Sequence, residues 1–102
     1  MDKIEIGGKQ YEVRMTWAAL CAWEIATDRS IETFKGDKLF DRIIMMLCVL
    51  NGANPTQPMT YEEWQTLIDA DPQIVARLAP LYVKAWEAWS SPQKKTEEAG
   101  EP

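Results

Sequence analysis

The sequence contains no histidine, only two cysteines and fewer basic than acidic residues, and each shortage excludes a class of function. Without histidine, the chain cannot build a Ser-His-Asp or Cys-His catalytic site, nor a Cys₂His₂ zinc site. Eleven lysines and arginines against sixteen acidic residues leave a net charge of −5. Such a chain repels phosphate, so we expect neither nucleic acid nor an anionic membrane surface as a partner.

Long apolar runs are also missing. The longest charge-free stretch of a predicted helix, residues 43–51, is far shorter than the ~20 residues that cross a bilayer. The N-terminal residues carry no apolar signal core. We therefore expect a cytoplasmic protein, in which Cys21 and Cys48 are reduced, buried thiols rather than a disulfide.

The N-terminal residues have the pattern of a β-hairpin. Apolar and polar residues alternate over residues 4–6 and 11–15, and Gly7 and Gly8 between them supply the positive φ angles of a tight turn. A lone hairpin is marginal in water, so it should pack on the helices that follow. The predicted apolar face consists of Ile4, Ile6, Tyr11, Val13 and Met15.

The rest of the chain has helical periodicity. We predict helices over residues 17–27, 38–50, 61–68 and 72–89, with a short helical turn over 30–36. Suitable capping or ending residues stand at the boundaries. They are Thr16, Ser30, Gly36 in a left-handed conformation, Asp37, Asn51 or Gly52, Thr60 with Glu63, and Asp71 before Pro72.

The predicted fold is therefore mostly α. A hairpin over residues 3–15 packs on a small bundle of three to five helices, and together they form a single domain over residues 1–90. Residues 91–102 contain no large apolar side chain and are expected to form a disordered, flexible tail.

No group of residues has the spacing of a catalytic or metal site. Residues 60–72 contain four acidic and no basic side chains. Roles as helix caps and as partners of the helix dipole explain these acids well. Glu24 lies in an apolar stretch, where it is either an isolated acid or a partner of Arg29 or Arg42. We expect a protein without enzymatic activity, metal or cofactor.

Five tryptophans are many for so short a chain. On the first helix, Trp17, Leu20, Cys21 and Glu24 share one side and Trp23 points elsewhere. We expect at least one of Trp23, Trp64 and Trp89 to be exposed, because aromatic residues concentrate at binding hot spots. The predicted partner-binding residues are Trp23, Trp64, Trp89 and Met59. Flexible methionine side chains add adaptable surface if they are exposed.

Several short motifs resemble a known family. Ile4-Glu5-Ile6-Gly7-Gly8-Lys9-Gln10-Tyr11 before a Thr-capped helix is similar to the start of tail assembly chaperones of long-tailed bacteriophages and prophages. Similar too are Asn51-Gly52 after an apolar helix, Thr60-Tyr61-Glu62-Glu63-Trp64, the Asp69-Ala70-Asp71-Pro72 step and the final amphipathic helix. The resemblance covers residues 3–90.

The resemblance implies a non-enzymatic chaperone that is absent from the mature virion. Such proteins bind the tape-measure protein, keep it soluble and assist polymerisation of the tail-tube protein around it. Many have a longer form made by ribosomal frameshifting, for which Lys94-Lys95 is the candidate position here. Self-association, for example through an exposed hairpin edge, is left open.

An alternative from another class is an acidic protein-binding inhibitor or DNA mimic of phage origin. A mimic needs acidic side chains in rows along one face, whereas the acids here gather mostly at helix starts. A small enzyme, the third alternative, lacks any assembled motif.

Overall fold

The structure is a computed structural model that describes the backbone of residues 2–100 and the side chains of residues 2–90. Its elements confirm the predicted hairpin followed by helices. In chain order they are β1 (Lys3–Ile6), β2 (Lys9–Glu12), α1 (Trp17–Thr27), a 3₁₀ turn (Ile31–Thr33), α2 (Leu39–Ala53), α3 (Tyr61–Ala70) and α4 (Gln73–Gly100). The predicted flexible tail, 91–102, lies outside the residues whose side chains are described.

The hairpin turns as its glycines predict. Gly7 and Gly8 have φ angles of 58° and 81°, and the turn brings Ile6 opposite Lys9. Positive φ at both central positions matches the twist of the paired strands. All five side chains of the predicted apolar face are buried, and together they cover one side of the helical core.

The outer edge of β2 is closed by side chains from the end of α2 and the loop after it. The amide of Asn54 acts like a neighbouring strand: Glu12 N–H donates to its Oδ1 at 2.9 Å, and its Nδ2 donates to Glu12 O at 2.9 Å. Gln57 Nε2 donates to Gln10 O at 2.6 Å. Strand addition at this edge, one route considered for self-association, is therefore blocked.

Helix α1 has the predicted bounds, and of its two sides that carry a tryptophan it fully buries one. Thr16 caps it, since Ala19 N–H donates to Thr16 Oγ1 at 3.0 Å. The fully buried residues are Ala19 and Trp23, whereas Trp17, Cys21 and Glu24 are exposed. The small Ala19 lets α1 approach α2 closely, and this contact decides which side of the helix is buried.

Helix α2 is the central helix, with nine buried residues, and it extends beyond the predicted end. Asn51 does not stop it, because its side chain instead bonds to the backbone N–H and C=O of Met59 at 2.8 and 2.9 Å. Gly52 stays helical because it faces α1 at close range. The start also differs: Lys38, not Asp37, is the N-cap residue, and Gly36 does not have positive φ.

Helices α3 and α4 begin where their caps predict. Thr60 and Glu63 form a reciprocal capping box at 2.9 and 3.1 Å. Asp71 Oδ1 accepts from Gln73 N–H at 3.2 Å at the start of α4. Helix α4 then packs Ile74, Leu78, Tyr82 and Ala85 into the core. Over the described residues, the model has no helix of the length and apolarity needed to cross a membrane.

Candidate binding groove

Two of the predicted partner-contacting tryptophans lie in the core. Trp23 and Trp64 are both 0% exposed, so the expectation that they form surface contacts is wrong. Trp64 is held by α2, because its Nε1 donates to Ile43 O at 3.1 Å. Trp23 lies under the Arg29 guanidinium at 5.0 Å and edge-on to Phe34 at 5.5 Å. A domain this small hides them because α1 and α3 both pack against the long α2.

The other two predicted partner-binding residues, Trp89 and Met59, differ in how far they are exposed. Trp89 is half-buried and meets the exposed Trp17 edge to face at 5.1 Å. Met59 is buried, as are the other three methionines considered as adaptable surface. These are Met15, Met45 and Met46. The methionine surface expected for partner binding is therefore absent from the described residues.

The cysteines are free thiols, as predicted, but only one of them is buried. Burial raises the pKa of the Cys48 thiol to about 12, so this side chain behaves as a small apolar group. Cys21 is exposed on the outer side of α1, contrary to expectation.

A groove of about 570 Å³ lies between α2 and α4. We call it the α2–α4 groove. A volume of this order holds two or three large side chains and lies in the usual range of ligand sites. Its lining is Phe34, Gly36, Arg42, Met46, Val75, Ala76, Ala79, Tyr82, Val83 and Trp86.

Aromatic rings form one wall of the groove. Phe34 stacks on Trp86 with ring centroids 5.8 Å apart, and Tyr82 meets Trp86 edge to face at 6.5 Å. Val83, 53% exposed, continues the apolar surface out of the groove. Partly open apolar surface of this kind on a small domain is typical of a binding site for another apolar surface.

Two polar side chains, Arg42 and Tyr82, contribute to the otherwise apolar lining of the groove. Of the described residues that line it, Arg42 alone is charged, and no described carboxylate forms an ion pair with it. The Tyr82 hydroxyl is buried without a hydrogen-bond partner among the described residues. Burial raises the pKa of Tyr82, which keeps the hydroxyl protonated and able to donate. The Arg42 guanidinium favours an occupant that brings an acceptor oxygen.

An ion pair between the partly exposed Arg29 and the buried Asp41 positions the segment that carries Phe34. The Arg29 guanidinium donates to both oxygens of Asp41 at 3.0 and 2.8 Å and to Thr33 O at 2.9 Å. Asp41 Oδ2 also accepts from Lys35 N–H at 2.8 Å. These bonds fix the chain on both sides of Phe34, so the aromatic wall is formed before any partner arrives.

The same ion pair predicts a pH dependence. The hydrogen bond from Arg29 holds the pKa of Asp41 below its ordinary value. Because the folded-state pKa is the lower one, the stabilisation is complete above the unfolded-state pKa of about 4 and disappears as pH falls through the folded-state pKa. Asp41→Asn should therefore lower the melting temperature at pH 7, and the difference from the native chain should shrink below about pH 4.

Thermal unfolding of both chains from pH 7 to pH 2.5 measures this difference. The lowered pKa of Glu63, which its bonds to Thr60 cause, is common to both chains and cancels. A difference in melting temperature that stays constant across the whole range would contradict the assignment.

Nothing in the groove supports catalysis. Its described lining contains no carboxylate, cysteine or serine that could act as nucleophile or base. Glu24 is exposed and accepts from Ile31 N–H at 2.7 Å, instead of pairing with Arg29 or Arg42. Among the described residues, no three acidic or cysteine side chains come together as a metal site would require. The arrangement can bind an apolar surface and an acceptor oxygen.

In the sequence, helical periodicity places Tyr82 and Trp86 on the apolar side of the last helix but does not indicate the groove. It missed Phe34, Arg42 and Val83, because the groove depends on how the segment after α1 folds back over α2 and α4. The exposed Val83, which lies off the buried side of α4, was a usable signal. No family model, curated protein or solved structure matches the chain.

Proposed function

We propose that this chain is a non-enzymatic tail assembly chaperone that holds an amphipathic helix of a phage tape-measure protein in the α2–α4 groove. The observation that carries the proposal is the groove itself, which is apolar, aromatic on one wall and about 570 Å³ in volume. An amphipathic helix laid in such a groove inserts its apolar side chains at successive turns. The motif resemblance of residues 3–90 supplies the identity of the client.

Arg42 indicates which kind of amphipathic helix fits the groove. A client helix with apolar residues on one side and an Asp or Glu beside them would place that carboxylate against Arg42. The net charge of −5 would keep the complex dissolved in the host cytoplasm until tail-tube protein polymerises around the client.

Substitution at the rim of the groove tests this role. Val83→Asp should reduce the amount of tape-measure fragment that stays soluble on co-expression by at least about tenfold, because it places a carboxylate on the apolar contact. The measurement is the fraction of the fragment in the cleared lysate. Since Val83 is 53% exposed, the variant should keep its melting temperature within a few degrees.

Tyr61→Asp is the matched control. It adds the same charge at another exposed hydrophobic residue, at the start of α3 and outside the groove lining. It should leave the client soluble. The role is refuted if the native chain does not raise client solubility. If Val83→Asp solubilises the client as well as the native chain does, the client binds elsewhere.

A further inference from the structure

The outer face of α1 is a second apolar surface, separate from the groove. We define it by six of the exposed residues of α1 and its C-cap, which are Trp17, Ala18, Cys21, Glu24, Ile25 and Asp28; the exposed Ala26 lies on the other side of the helix. Trp17 is 68% and Ile25 83% exposed, which is unusual for such side chains in a small domain. No described residue of the chain covers them except Trp89, which touches the Trp17 ring at 5.1 Å.

This face is symmetric about Cys21. Along the helix, Trp17 lies four residues before Cys21 and Ile25 four residues after it. Around the helix, at about 100° per residue, these six positions span about 120° with Cys21 near the middle. An isologous contact requires a self-complementary patch with its axis at the centre, and this face has that form.

Charged residues at the two ends of this face are also placed to pair with a second copy whose α1 runs in the opposite direction. Arg14 precedes α1 and Asp28 ends it, each seven residues from Cys21. The first turn of α1 has no acidic residue and the last turn no basic one, so neither end of the helix dipole is neutralised by its own turn. In an antiparallel pair, Glu24 and Asp28 would lie beside the N-terminal end of the partner helix, and Asp28 opposite the partner's Arg14.

We propose that two copies of this chain associate through the outer faces of α1, packed antiparallel with the two Cys21 side chains on the two-fold axis. Trp17 of one copy then packs on Ile25 of the other, twice. The small Ala18 permits close approach beside them. The contact of Trp17 with Trp89 holds its ring in place, which lowers the ordering cost of association. The dimer does not depend on the client proposed for the groove.

Sedimentation over a concentration series tests the dimer. One pair of short helices buries less than a standard interface, so we expect dissociation constants of about 10–1000 µM. Ile25→Glu should weaken dimerisation at least about 100-fold, because both copies acquire a buried charge. Leu39→Glu is the matched control, since Leu39 is also well exposed but lies on α2, and it should leave the dimer unchanged.

Oxidative cross-linking tests the geometry. Mild oxidation of the native chain should trap a disulfide-linked dimer, which Cys21→Ser abolishes while the buried Cys48 stays reduced. The relative direction of the two helices is tested by adding either Ala18→Cys or Glu24→Cys to the Cys21→Ser chain. In an antiparallel pair, position 18 of one copy lies opposite position 24 of the other. A mixture of the two variants then forms disulfide-linked dimers, whereas either variant alone forms few.

Three results overturn the proposal. The first is a chain that stays monomeric up to about 1 mM. The second is a dimer that survives Ile25→Glu, since it must use another face. The third is a disulfide that forms more readily between two Ala18→Cys chains than between an Ala18→Cys chain and a Glu24→Cys chain, since the helices would then be parallel.

Discussion

Trp64→Ala should lower the free energy of unfolding by about 3–5 kcal/mol, enough to unfold a large part of the population of a domain this size. Trp64 is the one fully buried residue of α3, and it packs in the core with the half-buried Leu67 and Ile68 beside it. Its removal leaves a cavity that the short α3 cannot fill. The loss also removes the indole donor bonded to Ile43 O at 3.1 Å.

Urea unfolding followed by circular dichroism measures this effect. Trp17→Ala is the matched control, because Trp17 is largely exposed, and it should cost about 1 kcal/mol or less. Trp64→Phe should fall between the two, since it keeps most of the apolar volume and loses the donor. Equal losses for Trp64→Ala and Trp17→Ala would mean that α3 does not pack as described.

Gly52→Ala should destabilise the fold by about 1–3 kcal/mol, although alanine is the better helix former. A Cβ atom at position 52 would lie 2.5 Å from Thr16 Oγ1 and 3.1 Å from Ala19 N, where α1 and α2 come closest. Relieving the clash requires α1 to move away or Thr16 to give up its capping bond. Helix propensity alone predicts the opposite sign, a gain of about 0.5–1 kcal/mol.

Gly36→Ala provides the control for Gly52→Ala. A Cβ atom there would meet only Phe34 Cε2, at an ordinary 3.8 Å, and Gly36 does not have positive φ. Its free energy of unfolding should change by less than about 0.5 kcal/mol or rise slightly. A stabilised Gly52→Ala chain would show that the two helices can separate at little cost.

The local signals in the sequence predict the elements well. Some signals act through bonds and angles within a few residues, so the local sequence is enough to predict the helix start or turn that they form. These are Thr16, the Thr60–Glu63 capping box and the Gly7-Gly8 turn. Where the expectation failed, a distant contact decided the outcome. Asn51 and Gly52 end helices in isolation, but here tertiary partners hold both inside α2.

The assignment of tryptophans failed for a related reason. Periodicity shows that Trp17 and Trp23 lie on different sides of α1, but not which side meets α2. Ala19 decides this, because a small residue opposite Gly52 permits the closest helix approach. The predicted contact residue Trp23 is therefore part of the core, as is Trp64 on α3, and the largely exposed tryptophan is Trp17. The groove depends on three separate segments, which no single periodic pattern reveals.

The side-chain bridge from Asn54 to Glu12 has a consequence for how the fold opens. It joins the first hairpin to the last turn of the central helix across 42 positions of sequence. The same Asn54 amide also donates to Leu50 O at 2.8 Å, so one side chain belongs to both elements. We therefore expect fraying at the end of α2 and detachment of the hairpin to be coupled, so that the backbone amides of the hairpin exchange with those of the end of α2 rather than independently.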